Sequence, residues 1–208
     1  MVSPEKRMQT SGLLRADPIQ SAAVGAAVAE EAHVPYALIG ALAVWSYVPL
    51  KAQRLTKDAD LAVPYGHRPA LMQAAKARGL KAHLLSIGGC GLARRGIAVD
   101  LIDRHPELAE LFSNAVRAAR ASRRRVKIGS HSVPVVPLPY LAAMKLVTHE
   151  SKDERDVEEL LKVYPIRKYG QIRKLVRAEL GYPSAMYLDT IARRIGHPGP
   201  GLLGRSPE

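Results

Sequence analysis

The chain has 208 residues, 47% of them hydrophobic, and its 31 Lys and Arg outweigh 19 Asp and Glu to give a net charge of +12. That length suits one large domain, or a core with a helical appendage, and no apolar run reaches the roughly 20 residues of a membrane span, so no membrane partner is expected. The single cysteine, Cys90, excludes an intramolecular disulfide and fits a reducing cytoplasm, and the seven histidines show no zinc-site spacing.

The first 15 residues carry Glu5, Lys6, Arg7 and Arg15 with no continuous apolar segment, which predicts a loose start and no secretory leader. Asp17 then precedes Pro18 and a long Ala-rich run, the pattern of a capped helix with a small-residue face. Residues 36–39 read as a short strand that turns at Gly40 into a small-residue helix, a junction suited to phosphate. After the basic loop KAQRLTK, alternation predicts a strand over 58–63 and a helix over 68–78. Strands are expected at 80–87, 92–95 and 97–102, with the glycines of 88–91 as the turn between the first two.

A helix is predicted over 106–119, followed by strands at 124–128 and 131–136 around the turn Gly129-Ser130. From Pro137 the apolar spacing becomes helical in four successive stretches, and Ser151 with Glu154 reads as a capping box between the first two. The Gly- and Pro-rich residues 197–208 read as a disordered tail. The fold class expected is α/β (α+β): a short mixed sheet flanked by helices, with a helical C-terminal section.

Asp58 and Asp60 are two residues apart, so on a strand both carboxylates leave one face while Ala59 points away. Adjacent carboxylates repel and call for a cation between them; hard oxygen ligands suit Mg2+ or Mn2+. Asp100, in the apolar run IAVDLID, supplies a third carboxylate on a second buried strand. Three such groups could hold two ions, the arrangement that supports in-line displacement at phosphorus.

These motifs, Gly40-Ala41, then Arg54-Leu55-Thr56-Lys57-Asp58-Ala59-Asp60, then Val99-Asp100-Leu101, then Lys145 with Asp153 and Asp156, resemble those of the minimal nucleotidyltransferases of the DNA-polymerase-beta-like superfamily. The late Lys and Lys-Asp-x-x-Asp helices are most similar to the abortive-infection, toxin-antitoxin type. The resemblance covers about residues 36–163. It implies transfer of a nucleoside monophosphate from a nucleoside triphosphate such as ATP to a hydroxyl. In it Asp58, Asp60 and Asp100 hold Mg2+ or Mn2+, with Asp100 activating the acceptor. Gly40 and Ala41 lie under the triphosphate, Arg54 and Thr56 sit near the nucleotide, Lys145 reaches a phosphate, and Asp153 and Asp156 orient that lysine. Ala41 departs from the family pattern, which has a second glycine or small polar residue there. The implied organisation is a catalytic core over 1–136 and a helical section over 137–196 completing the cleft.

Two basic clusters, Arg117, Arg120, Arg123, Arg124, Arg125, Lys127 and Lys162, Arg167, Lys168, Arg173, Lys174, Arg177, are candidate RNA contacts, with Tyr164 and Tyr169 as stacking partners. The acceptor expected from the toxin-like resemblance is RNA, tRNA included, and the expected protein partner a cognate antitoxin. Small-molecule or protein acceptors, and a non-catalytic binding protein of the same fold, remain the alternatives. Asp103 and Asp189 are assigned structural roles.

Overall fold

A computed structural model describes residues 17–197. The readings of a loose N-terminus and of a disordered tail fall largely on residues 1–16 and 198–208, outside the described residues. The first helix, α1 (Pro18–Glu31), starts where Asp17 caps it: the carboxylate accepts from the amides of Ile19 and Gln20. Strand β1 (Ala37–Ile39) runs directly into the short helix α2 (Gly40–Trp45). Then come β2 (Ala59–Ala62), α3 (Arg68–Ala77), β3 (Lys81–Leu84), β4 (Gly89–Arg94) and β5 (Ile97–Ile102). Helix α4 (Ala109–Ala121) and the hairpin β6 (Arg125–Ile128) and β7 (His131–Pro134) lead to α5 (Leu138–Leu146), α6 (Ser151–Val163) and α7 (Tyr169–Arg194).

The main sheet has five strands in the order β1-β2-β5-β4-β3, mixed in sense: β2 and β5 are parallel and the other pairs antiparallel. A single row of paired residues crosses all five strands: Ile39, Asp60, Asp100, Gly91 and His83. Paired residues share a face, so this row fixes which side chains meet above the sheet. The opposite face, with Ala59, Leu61, Val99 and Leu101 all at most 1% exposed, packs on Ala22, Ala26 and Ala29 of α1. Alanines keep helix and sheet close, and full burial of each Leu or Val contributes about 1.5–3 kcal/mol.

Three expectations are corrected. Gly89 and Gly91 are not in a turn but inside β4, and the turn lies earlier, where Gly88 donates to the Leu85 carbonyl. Gly89 holds a φ of +108° with its Cα against the Leu101 backbone, a place closed to any side chain. Ser151 and Glu154 form no capping box: Glu150 occupies the cap position without a side-chain bond, and Glu154 is drawn instead to Tyr187 and Arg194. The last two helical stretches are one element broken at Gly181, whose φ of 83° and ψ of 176° leave the helix two residues before Pro183.

The chain enters helix α5 at the edge strand β1, and the helix itself packs chiefly on α6 and α7. Its preceding residue pair is tied there by the Val136 amide donating to the Leu38 carbonyl and by the Tyr47 hydroxyl donating to the Val136 carbonyl. Apolar positions Leu141, Ala142, Ala143, Leu146, Leu160, Leu161, Ile172 and Val176 are nearly or fully buried, so α5, α6 and α7 share the core that begins in the sheet. A cleft remains between the Asp60 face of the sheet and this helical wall. No helix among the described residues is long and apolar enough to cross a membrane.

Candidate active site

The sheet wall of the cleft carries the aspartates. Asp60 on β2 and Asp100 on β5 are directly paired, and Asp58 stands just before β2. Thr56 reinforces that entry, its hydroxyl donating to the Asp58 carboxylate at 3.0 Å. Gly40 opens α2 at a φ of +64°, and a Cβ there would overlap the Asp60 carboxylate. Only glycine therefore lets the β1–α2 junction close against Asp60. Ala41, by contrast, is 4% exposed and packs inward; it is not part of the cleft lining.

Burial pushes the Asp60 carboxyl up to about 6, and the neighbouring Asp58 and Asp100 add to the rise, while Lys145 and Arg54 oppose it. Asp100 is also raised, by burial first and then by Asp58, with His83 acting in the opposite direction. The three carboxylates are thus close enough to disfavour one another's charge, the condition a cation relieves. They do not form a closed cage: among the described residues, no three His, Cys, Asp or Glu side chains converge as a ready-made metal site.

The helical wall carries Lys145, 9% exposed, whose ammonium donates to Asp153 at 2.6 Å and pairs with Asp156 at 2.9 Å. Asp153 and Asp156, three residues apart on α6, face the same way, and Thr148 also donates to Asp153. Burial pushes the Asp153 carboxyl up, but the hydrogen bond and charge of Lys145, with Thr148 and Lys152, hold it below the usual range. Arg54 completes the bridge between the walls, its Nε 3.2 Å from both Asp156 oxygens. The loop that presents Arg54 is pinned by the Trp45 indole donating to the Arg54 carbonyl and by the Gln53 amide donating to the Trp45 carbonyl.

Gly40, Arg54, Thr56, Asp58, Asp60, Lys145 and Asp153 all line the cleft; Asp156 lies behind Lys145, and Asp100 lies beside Asp60 along the sheet. Sequence reasoning missed two lining cations, Arg104 and Lys152, and an apolar part made by Ile87, Ile102, Phe112, Leu141 and Met144. Lys152 adjoins Asp153 in a charged run that also reads as a solvated helix face. Arg104 sits four residues past Asp100, but its direction depends on a left-handed backbone, φ 51°, that spacing does not announce.

Both basic clusters are less available than their composition predicts. Arg124 stacks over the Tyr47 ring at 3.9 Å and donates to the Ser46 carbonyl, and Arg125 donates to the Ser132 carbonyl. Arg173 is held by Asp189, as is the hydroxyl of Tyr169, which at 1% exposure offers no face for a base. Asp189 is structural in this sense, as is Asp103, fully buried and gripped by two nitrogens of Arg68. Arg120, Arg123 and Lys127, and on the other side Arg167, Lys168, Lys174 and Arg177, are exposed.

No protein-family model and no curated protein matches this sequence. Among solved structures, the chain is similar to the solution structure of the antibiotic-resistance factor ANT(2'')-Ia, with 15% identity and a TM-score of 0.47 over 85% of this chain and 91% of that one. It is also similar to the crystal structure of ANT(2'')-Ia in complex with adenylyl-2''-tobramycin, at 15% identity and a TM-score of 0.46 over 85% and 97%. A third is an antigenic nucleotidyltransferase-like protein from Paracoccidioides brasiliensis, at 15% identity and a TM-score of 0.48 over 85% and 98%.

Proposed function

We propose that this protein is a metal-dependent nucleotidyltransferase that moves a nucleoside monophosphate from a nucleoside triphosphate to a hydroxyl acceptor. The observation that carries the reading is the pairing of Asp60 with Asp100 across β2 and β5, with Asp58 beside them and Lys145 opposite. Repelling carboxylates on a rigid sheet, facing a cleft lined with Arg54, Arg104, Lys145 and Lys152, suit a bound cation and a polyphosphate together. An open carboxylate set fits Mg2+, which keeps part of its shell for substrate phosphates. When bound, such ions would polarise the α-phosphate and neutralise the departing pyrophosphate.

The chain's own residues would do the rest. Asp58, Asp60 and Asp100 hold the cation, and Asp100 accepts the proton of the attacking hydroxyl. The acceptor oxygen bonds to the α-phosphorus as the bond to the β-phosphate oxygen breaks and pyrophosphate leaves. Lys145, preset by Asp153 and Asp156, and Arg54 balance the triphosphate charge; their existing ion pairs fix their heads near the cleft before substrate arrives. Gly40 and Thr56 support this set by admitting Asp60 and steadying Asp58. Ala41, buried in α2, is assigned no contact. Residues 1–136 would form one wall and 137–196 the other.

For the acceptor, the net charge of +12 favours RNA, by the attraction of a positive surface for a polyanion, and the exposed Arg120, Arg123 and Lys127 offer contacts. A toxin role with a cognate antitoxin would follow the sequence resemblance, and a cytoplasmic location fits a buried free cysteine. The test is incubation with total RNA, Mg2+ or Mn2+ and each nucleoside triphosphate labelled at the α-phosphate, beside Asp58→Asn and Asp60→Asn. Label in RNA from the unaltered protein alone supports the reading. Equal labelling by the variants overturns it, and label in small molecules or protein alone moves the acceptor class.

A further inference from the structure

The row of paired residues that joins Asp60 to Asp100 continues through Gly91 to His83 on the edge strand. All four positions lie on one face of the sheet, but Gly91 has no side chain, and the imidazole of His83 covers it, so that Gly91 is buried while His83 is exposed. A Cβ on Gly91 would stand 2.5 Å from both His83 Cε1 and Nε2, and 3.1 Å from Asp100 Oδ1. The imidazole and the carboxylate thus both approach one point, their nearest atoms at most about 5.6 Å apart. Two groups within that limit can both contact a single oxygen set against them, given hydrogen bonds of about 2.7–3.0 Å.

Nothing else engages the histidine: its residue is exposed, and its ring makes no hydrogen bond among the described residues. The cations Arg54, Arg104, Lys145 and Lys152 line the cleft with Asp60, and His83 is not in that lining. Along the register row His83 lies beyond Asp100 from Asp60, a position from which a hydroxyl would approach opposite the leaving pyrophosphate with the triphosphate held against Lys145.

We propose that His83 is an acceptor-binding residue: its imidazole and the Asp100 carboxylate together hold the attacking ribose hydroxyl of RNA above the strand at Gly91. The inference rests on the nucleotidyl-transfer reading and deepens it. His83 donates a hydrogen bond to the hydroxyl oxygen, orienting a lone pair at the α-phosphorus, while the hydroxyl proton points to Asp100. As the new oxygen–phosphorus bond forms, that proton passes to Asp100 and pyrophosphate departs. Gly91 is required because a methyl group there would stand 2.5 Å from the imidazole and push it away from its place beside Asp100.

The experiment compares His83→Ala, His83→Gln and Gly91→Ala with the unaltered protein. Two readouts are taken: transfer of α-phosphate label into total RNA over a range of RNA concentrations, and binding of Mg2+ with a non-transferable α,β-methylene nucleoside triphosphate. One lost hydrogen bond predicts that His83→Ala lowers kcat/KM for RNA about tenfold, with nucleotide binding within about twofold of the original. His83→Gln, which keeps a donor, should recover part of the loss. Gly91→Ala should lower transfer in the presence of His83 and cost less once His83 is alanine. Unchanged transfer in His83→Ala, or an equal fall in nucleotide binding, overturns the proposal. Absence of RNA labelling alongside Asp58-dependent nucleotide binding also overturns it and leaves the nucleotide site standing; absence of that binding sinks the underlying reading.

Discussion

Replacing Asp60 by Asn should make the metal-free protein more stable while removing its activity. Folding raises the Asp60 carboxyl from 3.8 to about 6, chiefly by burial and then by Asp58 and Asp100. A raised acid pKa favours the folded state below pH 3.8, and this advantage is lost as pH rises through about 6. At about 1.4 kcal/mol per unit, ionised Asp60 costs the fold on the order of 3 kcal/mol at neutral pH. Asparagine is close in shape and never ionises. Asp60→Asn should therefore gain up to about 3 kcal/mol near pH 7.5 in chelator, and little near pH 4. For a chain of this size that is about 2–4 °C in Tm per kcal/mol. Urea denaturation at both pH values reads the gap directly. Saturating Mg2+ should narrow it, because a cation binding the folded carboxylates stabilises only the protein that has them. An Asn variant less stable than the original near pH 7.5, or a gap that ignores pH, would refute the argument that repulsion and burial strain this site.

Three further outcomes follow from contacts elsewhere in the cleft and core. Gly40→Ala should lose about 1–3 kcal/mol by urea denaturation, from the φ of +64° and from overlap with Asp60, and should weaken Mn2+ binding in parallel. Lys145→Met leaves Asp153 and Asp156 buried without their ammonium and should cost about 3–5 kcal/mol; acidification should then restore part of the loss, since the orphaned carboxyls can protonate. Cys90, whose thiol burial raises to about 11, should resist a thiol reagent near pH 8 in the folded protein and react at once in denaturant.

The parts of this site that sequence revealed are those fixed by local periodicity. A spacing of two suggested a strand carrying Asp58 and Asp60 on one face; Asp58 stands just before β2, yet both line the cleft, and a spacing of three on a helix put Asp153 and Asp156 on one side. Asp100 was legible as a charged residue in an apolar strand, but its pairing with Asp60 comes from a parallel crossover that joins strands nearly forty residues apart, which no local pattern encodes. Gly89 and Gly91 misled for a physical reason: glycine signals a turn by its freedom, whereas these two meet a demand for empty space inside a strand. The same blindness hid His83, whose exposed place on an edge strand gains meaning only from the bare position beside it. Arg173 and Tyr169 looked available for RNA because sequence does not display Asp189, which holds both.

Transfer of the α-phosphoryl group with its nucleoside at the aspartate face separates nucleotidyl transfer from phosphoryl transfer. It is tested most directly by parallel reactions with nucleoside triphosphate labelled at the α- or at the γ-phosphate, with Mg2+, acceptor RNA and Asp58→Asn as control. Nucleotidyl transfer gives label in RNA from the α position alone, γ label released as pyrophosphate, and neither event with Asp58→Asn. Transfer of the γ label to an acceptor, or α labelling that persists without Asp58, would contradict it.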